Sequence, residues 1–437
     1  MKPYDAEFVK LPKYQSTVHF SERGGYTAPD IELDEEQKKW WRDCKLGMFI
    51  HWGLYAIPGK GEWEYFNGKW DREEYAGLVN EFAVDSQPDD IAREWLSVAK
   101  SANCRYAVMV TRHHDGFAMW NSDASHLDFD AGHTQGRDYV GAYVNACREA
   151  GIKPGLYYSP MDWRFPGYFD PDGQPESAQA MKRQCHAQIE ELMTRYGDIS
   201  ILWYDGGWLA HSGTDWQAAW LWDPMELCRM VRRHQPGIIM SPRSGYIGDF
   251  QCDEGPHEIN GQIIDEPWEK CMTTGDAWGY QPDAMVYSPD VIIRMLANVI
   301  CRGGNLMLNI GPDANGHVPD AVKQLFAALG EFVRANSESI FGTRAGIWQP
   351  VDGVFGSVYR DDTVYLHVLD AARFDGMTLP ATGNRFAKCH ALTGEQIPFE
   401  QDARGLRLHL PKSLIDEART DLVLRLVAER PVVRDVE

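Results

Sequence analysis

Residues 199–208 of the chain, ISILWYDGGW, join a short apolar run to an abrupt stop. The first six residues are mostly branched or aromatic, which is typical of a buried strand. Asp205 follows directly, and two glycines then end the pattern. In parallel sheets the reactive groups lie at the carboxyl ends of strands, although a lone aspartate there can also simply cap a turn. Trp203 and Trp208 flank this carboxylate, and flat rings pack well against the apolar faces of sugars, so we favour a sugar site.

The same kind of apolar run recurs through the first three quarters of the chain, separated by segments with helical periodicity. The other runs are Met48–His51, Arg105–Thr111, Pro154–Ser159, Gly237–Ser241 and Asn305–Ile310. Alternating strands and helices over about 300 residues predict an α/β fold, and a (β/α)8-like barrel fits this length best. Six of its strands are recognisable in the sequence.

The chain is too long for a single core, and its pattern of polar and apolar residues divides it into three parts. Residues 1–35 are polar and irregular and are interpreted as an N-terminal arm. Residues 36–346 hold the alternating pattern and form the predicted catalytic domain. Residues 347–437 consist of short β-rich runs separated by turn residues, which predicts a small antiparallel β-sandwich that braces the barrel.

Charge and composition exclude several classes of partner. The chain has 43 basic and 64 acidic residues, a net charge of −21, and no basic run, which argues against nucleic acid or an anionic membrane. No apolar stretch approaches the roughly 20 residues of a membrane span. Nine scattered cysteines without a C-x-x-C pair, and an N-terminus without an apolar signal region, predict a cytoplasmic protein. No nucleotide-binding fingerprint follows a strand, so we expect no cofactor.

Polar and aromatic residues follow almost every predicted strand, and a barrel would bring them to one face. A pocket with at least two carboxylates surrounded by His, Tyr, Trp and Arg has the groups needed for glycoside cleavage. A zinc site built from His51, His113, His114 and Asp205 is the competing interpretation. Adjacent residues of an extended segment point to opposite sides, and neither H-x-H nor H-E-x-x-H occurs, so we expect no metal.

Taken together, the motifs resemble glycoside hydrolase family 29, the α-L-fucosidases, and in particular its broad-specificity type. The matching segments are KLGMFIHWG (45–53), GEW (61–63), TRHHDGF (111–117), GLYYSP (155–160), LWYDGGW (202–208), DFQCDE (249–254), WEKC (268–271), AWGY (277–280) and RGGNLMLNIGPD (302–313). This resemblance implies an exo-acting retaining hydrolase of terminal α-L-fucose, with Asp205 as the nucleophile. Glu254 matches the acid/base position, and its neighbours Asp253 and Glu258 are the alternatives.

The resemblance also implies which residues contact the sugar. They are His51, Glu62, Trp63, His113, His114, Tyr157, Trp203, Arg243 and Trp278. Tyr157 is favoured over Tyr158 because neighbouring strand residues face opposite ways. The implied partner is a fucosylated oligosaccharide, and a homo-oligomer remains possible. Two alternatives stay open: a related glycosidase for a fucose-like sugar such as an L-galactoside, and a fucose-binding protein without catalytic activity.

Overall fold

A parallel sheet of eight strands organises the computed structural model, which describes residues 2–255, 257–417 and 419–434. Two strands of the N-terminal arm precede it, β1 (Glu7–Lys10) and β2 (Gly24–Thr27). The sheet itself consists of β3 (Leu46–Ile50), β4 (Tyr106–Arg112), β5 (Lys153–Tyr158), β6 (Ile201–Tyr204), β7 (Ile239–Met240), β8 (Gln251–Asp253), β9 (Trp268–Met272) and β10 (Asn305–Ile310). The strand order is β7-β6-β5-β4-β3-β10-β9-β8, which confirms the predicted barrel-like α/β fold.

Six of these strands correspond to the predicted apolar runs, whereas β8 and β9 were not predicted. Both contain charged side chains that hide them from a hydropathy pattern. Lys270 of β9 forms a buried ion pair with Asp253 of β8, with Nζ 3.3 Å from Oδ1. Glu269 of β9 is 1% exposed and accepts a hydrogen bond from Trp203 inside the sheet. Because each of these side chains has an ion-pair or hydrogen-bond partner within the protein, it is compatible with a buried strand.

Side chains along β6 alternate between two cores, as the strand geometry requires. Ile201 and Trp203 belong to the cluster enclosed by the curled sheet. Leu202 and Tyr204 belong to the larger cluster outside it, where the helices pack. Asp205 continues the inner series, so its carboxylate emerges on the enclosed side at the end of the strand.

The edge strands β7 and β8 meet at a seam, a name used here for residues 239–254. No ladder joins the two strands, but Asp249 links them: its N–H donates to the Met240 carbonyl, and its carboxylate accepts from the Met240 N–H at 2.7 Å. Arg232 binds the same carboxylate at 2.8 Å. At the seam, a single buried aspartate therefore connects the two strands through its N–H and its carboxylate. The other neighbouring strands of the sheet are joined by backbone ladders.

Most of the helices pack on the outer surface of the sheet, and the last two, after residue 370, pack in the C-terminal sandwich. The helices are α1 (Glu35–Cys44), α2 (Glu64–Asn67), α3 (Arg72–Gly77), α4 (Pro88–Ser101), α5 (Ala131–Gln135), α6 (Tyr139–Ala150), α7 (Pro166–Phe169), α8 (Pro175–Arg195), α9 (Ala219–Trp222), α10 (Pro224–His234), α11 (Pro289–Ile300), α12 (Asp320–Ala335), α13 (Ser337–Ile340), α14 (Ala371–Phe374) and α15 (Lys412–Asp416). The connection from β7 to β8 has no helix, and none lies in the described residues between β8 and β9. Those two units depart from a regular (β/α)8 repeat.

An aspartate precedes both α6 and α10, and its side chain caps only the first of these helices. Asp138 caps α6 as its sequence suggests, since its side chain accepts from the Gly141 N–H. Asp223 precedes α10 but its side chain does not cap the helix, and its backbone is left-handed, with φ 51°. Its carboxylate instead accepts a hydrogen bond from the Tyr4 hydroxyl at 2.7 Å, so a contact with the N-terminal arm replaces the local cap.

The N-terminal arm is not irregular throughout, and it covers the seam. Strands β1 and β2 pair antiparallel. Beyond them, the Ser21 N–H donates to the Cys252 carbonyl at 2.9 Å, and Ile247 donates to the Tyr26 carbonyl at 2.9 Å. The arm thus satisfies backbone groups that an open edge of the sheet would leave exposed.

Two antiparallel sheets follow the barrel, which confirms the predicted β-sandwich. Their strands are β11 (Arg344–Ala345), β12 (Phe355–Arg360), β13 (Thr363–Val368), β14 (Thr378–Pro380), β15 (Phe386–Ala391), β16 (Phe399–Asp402), β17 (Gly405–Leu408) and β18 (Leu422–Ala428). One sheet has the order β11-β12-β13-β18-β15 and the other β14-β17-β16. Val358, Tyr365 and Val423 pack into the core of the barrel side, so the sandwich is fixed to the catalytic domain.

All nine cysteines are free thiols. Within the described ranges, no helix is both long enough and apolar enough to span a membrane.

Candidate active site

Asp205 lies at the centre of a pocket formed by the carboxyl ends of the barrel strands. Tyr157 of β5 donates its hydroxyl to Asp205 Oδ2 at 2.7 Å. Arg243, which follows β7, places Nη2 2.9 Å from Oδ1. His114 Nε2 is 3.7 Å from Oδ2. The Tyr157 hydroxyl and the Arg243 guanidinium therefore hold the Asp205 side chain from two directions.

Arg243 also contacts the second predicted carboxylate. Its Nη1 is 2.7 Å from Glu254 Oε2, on the residue that follows β8. Because Nη1 and Nη2 belong to one planar guanidinium group, Asp205 and Glu254 lie close to each other across the pocket. The two differ in accessibility: the side chain of Asp205 is 12% exposed, whereas that of Glu254 is 33% exposed.

The alternation along β8 separates Glu254 from the two carboxylates named as alternatives. Cys252 lies in the enclosed core, so Glu254, two residues later, continues on the inner side. Asp253 points the other way and pairs with Lys270. Glu258 is exposed and accepts a hydrogen bond from Asn260 instead of facing the pocket. Of the three, Glu254 is the one placed opposite Asp205.

His113 and His114 both face the pocket, contrary to the expectation that neighbours alternate. Their ring centroids are 4.0 Å apart, because the chain turns at His114 and Asp115 and is no longer extended. The ring of His113 stacks on Tyr157 at 5.7 Å with an interplanar angle of 5°. His114 Nδ1 lies 2.6 Å from the hydroxyl of Ser159. The turn thus supplies two imidazoles where a straight strand would supply one.

The histidines of the pocket are neutral. Burial lowers the pKa of His51 to about 3, despite the opposing hydrogen bond to Asn309. Burial also holds the pKa of His113 and of His114 well below the usual value, and neighbouring positive groups add to the effect. Neutral imidazoles can donate and accept hydrogen bonds without adding charge, which suits the hydroxyl groups of a sugar.

Asn309 sets the proton position on His51. The Asn309 amide N–H donates to the Trp278 carbonyl at 2.8 Å, so its Oδ1 is the atom that faces His51 Nδ1 at 2.7 Å. An amide oxygen only accepts, so Nδ1 must carry the proton and Nε2 is left as an acceptor. The ring of His51 lies 5.0 Å from that of Trp278, which is half-buried. One buried amide therefore orients two of the predicted sugar contacts.

Glu62 and Trp63 come from the loop after β3. Glu62 accepts a hydrogen bond from the Gly279 N–H at 3.0 Å, which ties this loop to the one that carries Trp278. Burial raises the pKa of Glu62, and the charges of Asp205 and Glu254 raise it further. Trp63 is half-buried, with its ring 5.5 Å from that of His114, so it forms part of the rim.

Trp203 forms the floor of the pocket and has no polar group left for a ligand. Its indole N–H donates to Glu269 Oε1 at 3.1 Å, and its side chain is almost fully buried. Glu269 also accepts a hydrogen bond from the Tyr106 hydroxyl. Burial raises the pKa of Glu269 to about 7. Contact between Trp203 and a sugar would be through its ring face only.

Tyr157 and Tyr158 point to opposite sides of β5. Tyr157 contacts Asp205, whereas Tyr158 donates to Gln188 of α8 at 2.8 Å on the outer face. The structure therefore places Tyr157 at the pocket and Tyr158 among the helices.

A pair of buried acids lies behind Arg243 and was not expected from the sequence. The Asp215 N–H donates to Glu22 Oε1 at 3.2 Å, and the two side chains are 0% and 6% exposed. Burial and the charge of Asp215 raise the pKa of Glu22, while Arg243 opposes the shift. Burial likewise raises the pKa of Asp215. Glu22 belongs to the N-terminal arm, so the arm reaches the back of the pocket.

His113, His114 and Asp205 are also the one candidate metal cluster among the described residues, since their ligand atoms lie within 4.8 Å of one another. The guanidinium of Arg243 is 2.9 Å from the same carboxylate. A divalent cation at this position would meet that fixed positive charge, which disfavours it. The absence of a resident metal remains a prediction.

Two of the residues missed by sequence analysis carried a usable signal. Asn309 is two positions after Met307, which faces the enclosed core, and Glu269 is two positions before Cys271, which does the same. Polar residues on the inner face of a buried strand are uncommon and indicate a specific partner. Glu22 had no such signal, because its partner lies 193 positions away.

Sequence comparisons agree with this geometry. A family model described as alpha-L-fucosidase matches residues 14–338. A putative α-L-fucosidase of Caenorhabditis elegans is 31% identical over 349 residues, which is 74% of this chain and 70% of the relative. A tissue α-L-fucosidase of Rattus norvegicus is 28% identical over 346 residues, or 73% of each protein.

Solved structures show the same fold. Alpha-L-fucosidase isoenzyme 1 from Paenibacillus thiaminolyticus aligns with a TM-score of 0.77 at 30% identity, covering 90% of this chain and 99% of that one. A family 29 enzyme from Bacteroides thetaiotaomicron, trapped as a covalent intermediate with 2-fluoro-fucosyl fluoride, aligns with a TM-score of 0.80 at 25% identity, covering 93% and 98%. The match over most of the chain, in sequence and in fold, shows that this protein belongs to the α-L-fucosidases of glycoside hydrolase family 29.

Proposed function

We propose that this protein is an exo-acting retaining α-L-fucosidase, which releases terminal α-L-fucose from oligosaccharides through a covalent fucosyl–enzyme intermediate. The observation that carries the proposal is the single guanidinium of Arg243, which contacts both Asp205 and Glu254. Retaining glycosidases need two carboxyl groups about 5 Å apart, on either side of the scissile bond. Two carboxylates bound by adjacent nitrogens of one side chain are compatible with that separation.

In the first half of the reaction, Asp205 attacks the anomeric carbon of fucose. Glu254 donates its proton to the glycosidic oxygen, and the bond between that oxygen and the anomeric carbon breaks. The products of this step are a fucosyl ester on Asp205 and a free alcohol. The Tyr157 hydroxyl, 2.7 Å from Asp205 Oδ2, holds the carboxylate in one orientation for the attack.

In the second half, the roles of Glu254 reverse. Glu254, now ionised, takes a proton from a water molecule while that water attacks the anomeric carbon. The ester bond breaks, fucose leaves with its original anomeric configuration, and Asp205 recovers its charge beside Arg243. Two inversions at the same carbon produce the net retention.

The neutral histidines suit recognition of a neutral sugar. His51 presents Nε2 as an acceptor, while His113 and His114 add donors or acceptors nearby. The half-buried ring of Trp278 offers an apolar surface for the C6 methyl group of fucose. An L-galactoside would place a hydroxyl there, and this hydroxyl would need a polar partner.

Trapping of the intermediate tests the nucleophile. Incubation with 2-fluoro-fucosyl fluoride, followed by proteolysis and mass spectrometry, should locate the sugar on the peptide that contains Asp205. Asp205→Ala should lose the label and nearly all activity on an aryl fucoside. Normal turnover by that variant, or a label elsewhere, would overturn the assignment.

The acid/base role is tested by chemical rescue. Glu254→Ala should lose activity on substrates with poor leaving groups, and azide should restore turnover of an activated aryl fucoside as a fucosyl azide. Glu258→Ala is the matched control, because Glu258 lies on the same loop but faces solvent. If azide rescued Glu258→Ala and not Glu254→Ala, the acid/base role would belong to Glu258.

Substrate identity needs its own measurement. Rates on aryl α-L-fucoside and aryl α-L-galactoside separate the two sugars, and no turnover of either would favour a binding protein without catalytic activity. Release of fucose from α1,2-, α1,3-, α1,4- and α1,6-linked disaccharides would then define the linkage preference.

A further inference from the structure

Four aromatic side chains form a continuous surface beside the pocket, and none of the catalytic steps uses them together. This aromatic platform consists of Trp63, Phe66, Phe169 and His211. Phe66 lies 4.4 Å from His211 and 6.3 Å from Phe169, with the two phenyl rings within 13° of parallel. Trp63 completes the platform, with its ring 5.5 Å from that of His211.

The platform is exposed to solvent at its outer end. Phe66 is 38% exposed and Phe169 is 41% exposed, which is unusual for two adjacent phenylalanines. Clustered exposed aromatic residues in a protein commonly mark a binding surface, whereas single ones do not. Burial lowers the pKa of His211, so the platform carries no charge of its own.

The platform is continuous with the catalytic groups at its inner end. Trp63 packs against His114, which is 3.7 Å from the carboxylate of Asp205. On the other side of His114, Trp208 lies 6.3 Å away, and the guanidinium of Arg243 lies 5.7 Å from the Trp208 ring. Arg243 in turn contacts Glu254. Ring contacts therefore run from Trp208 to the solvent-exposed phenylalanines, and Arg243 links Trp208 to the proposed acid/base Glu254.

The backbone that carries His211 is held in an unfavourable conformation. Ala210 and His211 have φ values of 51° and 52°, so two successive residues other than glycine adopt the left-handed conformation. Such residues are uncommon and concentrate at functional sites. The Ala210 N–H donates to the Tyr168 carbonyl at 3.1 Å, and the His211 N–H donates to the Tyr168 hydroxyl at 3.3 Å. These bonds hold the imidazole against the platform.

We infer that the aromatic platform binds the sugar ring to which the terminal fucose is attached, and that this ring is a neutral hexopyranose. The inference rests on the proposed function. A pyranose has one face rich in C–H groups, which packs on flat rings, and an uncharged platform offers nothing to an acidic group. Binding of this ring would orient the glycosidic oxygen toward Glu254.

The test compares two substrates that share fucose and differ in the leaving group. α-L-Fucosyl fluoride has a leaving group of one atom and cannot reach the platform. The second substrate is whichever α-L-fucosyl hexopyranose the unmodified protein cleaves best. Phe66→Ala and Phe169→Ala should each lower kcat/KM for the disaccharide about 3- to 10-fold, as for loss of one ring contact. Hydrolysis of fucosyl fluoride should change by less than twofold.

Two controls separate ring stacking from a general effect of losing an aromatic residue. Phe8→Ala removes a phenylalanine that is also 41% exposed, but this ring packs on Trp216 and belongs to the N-terminal arm. It should leave the ratio of the two activities unchanged. Phe169→Tyr keeps a flat ring and should retain the disaccharide activity that Phe169→Ala loses.

The outcomes distinguish this inference from the proposed function. If the unmodified protein does not hydrolyse fucosyl fluoride, the proposed function fails. If it does, and the platform variants lower both activities equally or leave the disaccharide unaffected, only the platform inference fails. A lower molar mass in solution for the variants, measured by light scattering, would instead assign the platform to contact between copies of this chain.

Discussion

The two sides of the pocket are built by different means. Asp205 follows a regular strand whose neighbours on both sides are paired through their backbones and covered by helices. Glu254 follows the three-residue strand β8 at the seam, where Asp249 replaces a backbone ladder and the N-terminal arm replaces a covering helix. The Asp205 side is therefore fixed by secondary structure, and the Glu254 side is held by a few side-chain contacts. Arg243 is the residue that joins the two sides.

The largest expected effect comes from removing the Arg243 guanidinium, which contacts both carboxylates. Arg243→Ala should lower kcat/KM on every fucoside about 100- to 1,000-fold, because both carboxylates lose their shared partner. Arg243→Lys should recover only part of the loss, since one ammonium group cannot bind both carboxylates as the planar fork does. Steady-state kinetics on an aryl fucoside measures both variants.

The matched control is Arg229→Ala, whose guanidinium binds Asp30 at the surface at 2.7 Å. It should have no effect on kcat/KM. If Arg243→Ala kept normal activity, the two sides of the pocket would have to be positioned independently of each other.

The next effect concerns the Asp205 side of the pocket alone. Tyr157→Phe removes the hydrogen bond to Asp205 and should lower kcat about 10- to 100-fold, as expected for a bond to a charged group. Tyr158→Phe removes an equivalent hydroxyl on the outer face of the same strand, where it binds Gln188. Its kcat should stay normal, while its thermal stability should fall. Equal losses of kcat would mean that both hydroxyls act through the strand and not through Asp205.

A smaller effect is expected when the hydrogen bond that orients His51 is changed. Asn309→Asp replaces the N–H that binds the Trp278 carbonyl with an oxygen and sets a carboxylate beside His51. The pKa of His51 should rise from about 3, and KM for a simple fucoside should increase about fivefold, the cost of one misplaced hydrogen bond. A new ionisation should appear in the pH profile of kcat/KM.

Asn305→Asp is the control on the same strand, because Asn305 donates to the Trp41 carbonyl at 2.8 Å, away from the pocket. It should lower stability without adding an ionisation to the pH profile. An unchanged profile for Asn309→Asp would contradict the assigned proton position on His51.

A last prediction concerns the pH dependence of stability and not activity. Because burial raises the pKa of Glu22, the folded protein keeps a proton that the unfolded chain releases above its ordinary carboxyl pKa. The free energy of unfolding should therefore fall as pH rises from the ordinary carboxyl pKa to the raised pKa of Glu22, by about 1 kcal/mol per pH unit. Glu22→Gln carries no ionisable proton and keeps an oxygen acceptor for the Asp215 N–H.

Melting temperatures between pH 5 and pH 9 measure this difference. The variant should have the flatter curve and should be the more stable protein at the alkaline end. Parallel curves for the two proteins would show that Glu22 is ionised in the folded state.

The contrast between the two sides also explains what the sequence could predict. The β6 strand and Asp205 were recognisable because an unbroken apolar run ends in a carboxylate and two glycines. Strands β8 and β9 were not recognisable, because Asp253, Glu269 and Lys270 are charged and their partners are distant in sequence. The position of Glu254 came from resemblance to a family and not from any local pattern.

Single turns and long-range contacts set the remaining limits. The prediction that His113 and His114 alternate was wrong because one turn after β4 brings both rings to the same side. The N-terminal arm was predicted to be irregular because it is polar, but β1 pairs with β2, and the arm also pairs with residues more than 200 positions away. No periodicity within the arm encodes those contacts.

The contact between Glu22 and Asp215 has a consequence for the order of assembly during synthesis. The two residues are 193 positions apart, so a ribosome adding about 5–20 residues per second separates their appearance by roughly 10–40 s. Glu22 must therefore wait for Asp215, which follows the fourth of the eight barrel strands. We expect the segment around Glu22 to dock only after these four strands have been made, and a chaperone that retains this segment would delay the onset of hydrolytic activity.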